Sequence, residues 1–173
     1  FGMLYWINNG TNTTAPKWVG HDVKEVWEET MKMSDGTEYT THLVNGLICE
    51  AQLTKISPNG KWIASSYRTE TPADDRMSVV MTQTAAFYNT ETETTTIVSD
   101  YGESVGVHVP DDGIGFIGIG TLGISSGVVY DLNTGTDLGS TQDWVYDNYG
   151  IIIPAGYINY ISADGRFVLG TKA

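Results

Sequence analysis

Five residues within one short stretch, Asp143, Trp144, Tyr146, Asp147 and Tyr149, combine flat aromatic faces with carboxylates. Such a set can hold a sugar ring or a peptide by stacking and hydrogen bonding; the plainer alternative is that the rings pack a long loop onto the body beneath it. A second stretch, Tyr67 to Arg76, carries Glu70, Asp74 and Asp75. Its carboxylates suggest a cation site or, with Arg76, a ligand clamp. A Ca²⁺ site needs about six to eight converging oxygens, however, and the acidic residues here lack the spacing of a calcium loop, so a solvated acidic loop is the simpler reading. The candidate ligand-binding residues are therefore Trp144, Tyr146, Tyr149, Asp143, Asp147, Tyr67 and Arg76.

Catalytic and metal-binding patterns do not stand out. His21, His42 and His108 lie on separate segments without His-x-His or His-Glu-x-x-His spacing. Neither a Gly-x-Ser-x-Gly elbow nor a Gly-Lys-Ser/Thr phosphate loop occurs. No catalytic residue, metal ligand or cofactor is nominated. Cys49 is the single cysteine, which excludes an intrachain disulfide and a thiolate metal cage. Beside Ile48 it reads as a small buried apolar residue. Asn9-Gly10-Thr11 and Asn12-Thr13-Thr14 fit glycosylation acceptors but are more simply turn residues.

What must position these residues is bounded by composition. The 173 residues are 40% apolar, enough for a packed core. Twenty-one acidic against nine basic residues give a net charge of −12, which repels a phosphate backbone and makes nucleic acid an unsuitable partner. No apolar run approaches the roughly 20 residues that span a bilayer, and no signal-peptide pattern is present. The sequence opens on Phe1 rather than Met, consistent with an upstream segment outside it. High Thr, Asn, Gly and Tyr content with few Lys and Arg suits an exported bacterial protein, and the expected location is secreted, periplasmic or on the cell surface.

One turn pattern recurs three times. Ile56-Ser57-Pro58-Asn59-Gly60-Lys61-Trp62-Ile63-Ala64 returns as Val109-Pro110-Asp111-Asp112-Gly113-Ile114-Gly115-Phe116-Ile117 and as Ile161-Ser162-Ala163-Asp164-Gly165-Arg166-Phe167-Val168-Leu169. The turn glycines are 53 and then 52 positions apart. Each copy ends one apolar strand, reverses at Asn-Gly or Asp-Gly with positive φ angles, and starts another. A second pattern follows downstream: Ala86-Phe87-Tyr88-Asn89-Thr90-Glu91-Thr92-Glu93 matches Val128-Val129-Tyr130-Asp131-Leu132-Asn133-Thr134-Gly135, and Met3-Leu4-Tyr5-Trp6-Ile7-Asn8-Asn9-Gly10 is similar. Each period then holds about four short strands, the size of a propeller blade.

Over residues 52–171, Ser57-Pro58-Asn59-Gly60-Lys61 and Val129-Tyr130-Asp131-Leu132-Asn133-Thr134-Gly135 resemble the Ser-Pro-Asp-Gly-Lys and Tyr-x-Asp-x-x-Thr-Gly signatures of bacterial extracytoplasmic β-propeller repeats. The resemblance implies an all-β, partial β-propeller of four-stranded antiparallel blades, about three blade equivalents. It says little about function, since such repeats serve as scaffolds, binders and accessory domains of prolyl-oligopeptidase-like peptidases. The second copy departs from the pattern: Pro110 is shifted, and Gly115 stands where Trp62 and Phe167 stand in the other copies.

The expected strands are 52–56, 61–67, 84–89 and 94–98 in one unit, and 104–109, 115–119, 127–132 and 136–140 in the next. Strands 157–161 and 166–171 begin a third unit, to which 3–7 and the turn region up to 17 would contribute. Residues 1–173 then form one propeller-type domain with a rim insertion at 18–51. Propellers close with ~4 to 8 blades, so this reading expects a longer chain, or another chain, to supply missing blades. Within 18–51, Asp35-Gly36 suggests a hairpin in which Trp27, Glu29, Met31 and Met33 alternate against Tyr39, Thr41 and Leu43. The alternative is a short helix over 22–33 capped by Asp22 and Glu25; β-branched and aromatic content favours the hairpin. The insertions gather on one rim, where function commonly resides.

The leading functional expectation is a noncatalytic propeller that binds a carbohydrate, another ligand or a protein at this rim. The rivals are an accessory propeller of a prolyl-oligopeptidase-like hydrolase and a structural envelope scaffold.

Overall fold

The computed structural model describes residues 3–5, 17–19, 24–48, 54–120, 126–162 and 166–172. Cys49, His21, the two glycosylation-like triplets and Gly165 lie outside these residues. Strands dominate and every pairing is antiparallel. Strand β1 (Met3–Tyr5) pairs with β2 (Lys17–Val19). Strands β3 (Lys24–Lys32) and β4 (Glu38–Ile48) form a hairpin, and β4 and β5 (Lys55–Ile56) lie one after the other along the same edge of β6 (Trp62–Pro72). Strands β7 (Val79–Asn89) and β8 (Thr94–Val98) complete this first large sheet. The second sheet is a plain four-stranded meander of β9 (Ser104–His108), β10 (Ile114–Ile119), β11 (Ser126–Asp131) and β12 (Thr136–Ser140). Helix α1 (Thr141–Tyr149) then leads to the paired strands β13 (Gly156–Ile161) and β14 (Val168–Lys172).

The 24–48 segment takes the hairpin alternative, with Trp27 opposite Leu43, Glu29 opposite Thr41 and Met31 opposite Tyr39. A side-chain period of two puts these pairs on one face, where Met31 and Leu43 are buried. Two expected boundaries are corrected. Strands β6 and β7 run well past 67 and 84, pairing as far as Thr71–Val80 and Pro72–Val79, so Tyr67 to Pro72 is strand rather than loop. The 143–149 stretch is helical.

Alternation sends the second sheet's side chains to both neighbours. Ile117 and Leu132 join Trp62, Ala64, Ala85, Phe87 and Val98 of the first sheet in one apolar cluster. From the opposite face, Phe116 and Val129 join Val145, Ile158 and Ile161. Burial on two faces accounts for the near-continuous apolar runs of β10 and β11. The odd glycine of the second copy has its reason here: a methyl group added at Gly115 would lie 2.8 Å from the Phe87 ring, and one at Gly106 would lie 3.1 Å from it. The ring seats in the space two absent side chains leave. Burying it contributes about 2–3 kcal/mol from transfer alone.

The recurrent turns also recur in their bonds. Ser57 N–H donates to the Trp62 carbonyl, and Ser162 N–H to that of Phe167; the Ser57 and Ser162 hydroxyls accept from Trp62 N–H at 3.0 Å and Phe167 N–H at 2.9 Å. The positive φ values at these reversals belong to Gly60 (76°) and Gly113 (79°), not to Asn59 or Asp112. Those two side chains instead accept the N–H two residues on, of Lys61 and Ile114, the Asx-type support that short polar side chains give a turn. The following turns close over them: Thr90 bonds the Gly60 and Lys61 carbonyls, while Leu132 N–H and Asn133 Nδ2 bond those of Gly113 and Asp112. Asn59 N–H reaches the Asp111 carboxylate at 2.8 Å, tying the two sheets at this end.

Candidate functional site

In an antiparallel meander alternate connections emerge at the same end. The turns at Gly60, Thr90, Gly113 and Asn133 occupy one end of the sheets, so the β6–β7 turn and the β12–β13 connection holding α1 emerge at the other. The β3–β4 hairpin runs alongside the outer parts of β6 and β7, making a β arm that extends beyond the face-to-face contact with β9.

Helix α1 begins at Ser140, whose hydroxyl accepts from Asp143 N–H at 3.1 Å and donates to the Asp143 carboxylate at 2.7 Å. It ends at Gly150, in the left-handed conformation (φ 66°), with its N–H on the Tyr146 carbonyl. Thr141 and Val145 face inward. Trp144 is half-buried, set edge-on to Phe116 at 5.3 Å and to Tyr149 at 5.7 Å. Packing against these two rings leaves it partly covered. Tyr146, Asp143 and Asp147 are exposed on the outer side, and Tyr149 is 45% exposed.

Tyr67 and Arg76 belong to the first sheet rather than to the helix. Tyr67 is half-buried within β6, opposite Leu47 and Thr84. Arg76 occupies a left-handed position in the β6–β7 turn (φ 58°) and clasps the neighbouring hairpin. Its Nε donates to the Thr30 carbonyl at 2.7 Å, its guanidinium pairs with Glu29, and its carbonyl accepts from Lys32 N–H. Glu70 accepts from Val44 N–H at 3.1 Å, and Asp75 accepts from Met77 N–H at 2.9 Å. These acidic groups brace backbone. Among the described residues, no three His, Cys, Asp or Glu side chains converge on a common point.

His108 is buried between Phe116 and Tyr160, and its Nε2 accepts from Ile161 N–H at 3.2 Å. Burial pushes its pKa below the usual histidine value. This ring ties β9 to β13 as a neutral acceptor.

The arm's tip carries a feature that sequence reasoning missed. Met33, Met77, Val79, Val80 and Met81 are each 40–53% exposed on the two adjacent hairpins, flanked by Glu38, Asp35, Asp74 and Asp75. The signal available was the run Val79-Val80-Met81 beside a turn, where the neighbouring acidic residues drew the attention.

No helix among the described residues is long and apolar enough to cross a membrane. Compared with protein-family models, with curated proteins and with solved structures, the chain finds no match.

Proposed function

We propose that this chain is a noncatalytic binding module of an extracytoplasmic, propeller-type repeat protein, and that it engages a protein partner through the β arm at the elaborated end of its sheets. The propeller assignment is supported by a four-stranded meander with sheets packed against both of its faces, and by equivalent turns 53 residues apart. The export-like composition supports the location.

One observation carries the binding reading: the exposed apolar side chains towards the end of the arm, Val80 on one face of the sheet, Val79 and Met81 on the other, and Met33 and Met77 beside them in the turns. Large apolar side chains exposed on a projecting arm, with charged residues beside them, characterise protein interfaces more than sugar sites. Methionine suits such a surface because its flexible thioether adapts to a partner's relief. On the helix side, Trp144 is half-buried against Phe116 and Tyr149, and Tyr146 is the more exposed ring.

The test is a displayed random-peptide selection run in parallel with a glycan array on the same folded protein. Peptide binders that lose at least tenfold in affinity on Val80→Glu/Met81→Glu, with thermal unfolding unchanged, support the arm. A saccharide hit abolished by Trp144→Ala, with no arm-dependent peptide, overturns it.

A further inference from the structure

Helix α1 and the residues that follow it stand apart from β14, leaving a cleft of about 430 Å³. This lies within the range of roughly 300–1,000 Å³ typical of small-molecule sites. One wall is Val145, Ile151 and Ile153; the other is Ile158 and Val168. The register explains why β14 turns these groups inward. Gly156 pairs with Lys172, Ile158 with Gly170 and Ile161 with Val168, so Val168 and Lys172 share the face on which Ile158 enters the core. Ile151 and Val168 are 55% and 46% exposed, open to whatever occupies the cleft.

The charge of the lining is unusual for this molecule. Acidic residues outnumber basic ones by more than two to one overall, yet the charged residues lining the cleft are Arg166 and Lys172. They lie six positions apart, so an extended backbone sets them at opposite ends of the cleft. The Arg166 guanidinium lies 5.8 Å from the centre of the Phe167 ring. Asp143 and Asp147 are exposed residues of α1 outside the lining.

We propose that this cleft binds an apolar carboxylate, a fatty-acyl or aryl acid, with its hydrocarbon against Ile151, Ile153 and Val168 and its carboxylate at the Lys172 ammonium. An apolar trough with a cation at its end complements both parts of such a molecule. The site is separate from the arm, so its success or failure leaves the protein-binding reading standing on its own test.

Decanoate and 1-decanol, titrated calorimetrically into the folded chain, are the probes. Decanoate is expected to bind at one site per chain and more tightly than the alcohol. Lys172→Gln should weaken decanoate about fivefold, the scale of one exposed ion pair, while leaving decanol unchanged. Val168→Asp should abolish binding of both. Both positions are exposed, and a melting curve matching the parent's confirms that the variants fold. Absence of decanoate binding, equal affinity for acid and alcohol, or binding indifferent to Val168→Asp would each overturn the proposal.

Discussion

At one end of the two large sheets the chain reverses in short turns that bond to one another and across the sheets. At the other it grows a two-hairpin arm and a helix. The turn end is held by repeated backbone bonds around Gly60 and Gly113 and by the Asn59–Asp111 tie. The arm is held by its strand ladders, by the buried Met31 and Leu43, by side-chain bonds such as Glu70 to Val44 N–H, and by the Arg76 clasp on Glu29 and Thr30. Sequence similarity between the repeats is concentrated at the turn end, because the same backbone problem is solved there each time. The arm occurs on the first sheet alone among the described residues, and nothing in the repeat requires it. Function placed at the arm can vary without disturbing the packed sheets.

This contrast can be broken most severely at the inter-sheet core. Phe87→Ala empties the seat over Gly106 and Gly115 and should cost about 3–5 kcal/mol, read as a large fall in the urea midpoint. Gly113→Ala should cost about 1–2 kcal/mol. It forces a Cβ into a left-handed position and, by the geometry, to within 2.8 Å of the Asn133 side chain; the same denaturation measurement checks it.

Acid should loosen the β9–β13 tie more gradually. The folded-state pKa of His108 is depressed, so the unfolded chain takes up a proton first. The stabilisation is complete above about pH 6.5 and declines as pH falls toward the folded-state value, with a slope of at most about 1.4 kcal/mol per pH unit. Comparing urea midpoints at pH 7.5 and 5.5 should show the decline, and His108→Gln should flatten it. The smallest effect belongs to the arm. Arg76→Ala should change global stability by no more than about 0.5–1 kcal/mol, since the pair is partly exposed, while amide exchange in β3 and the outer part of β4 quickens. If that substitution instead unfolded the whole chain, the arm would be part of the core.

The sequence made the turns and the strand order legible because Asn-Gly and Asp-Gly reversals are local and repeat. The β3–β4 hairpin was legible for a similar reason, since alternation from Trp27 to Met33 meets a Gly turn. Helix α1 went unread although Ser140, Asp143 and Gly150 supply a cap at each end; the aromatic residues between them looked like a binding loop. Arg76 looked like a ligand clamp because its partners, Glu29 and Thr30, lie more than forty positions away. The seat of Phe87 over Gly115 was illegible in principle, because the glycine's meaning depends on a ring 28 positions earlier in another sheet.

That seat also works as a label of identity among look-alike neighbours. Chains of similar repeats risk assembling in the wrong order, or exchanging units between molecules, because each unit offers its neighbours nearly the same surface. Here one sheet carries a projecting ring and the next a matching hollow, whereas the equivalent positions in the other two copies hold Trp62 and Phe167. A misplaced repeat would set bulk against bulk. The two absent side chains at Gly106 and Gly115 thus fit this sheet, and not one bearing bulk there, to the sheet that carries Phe87.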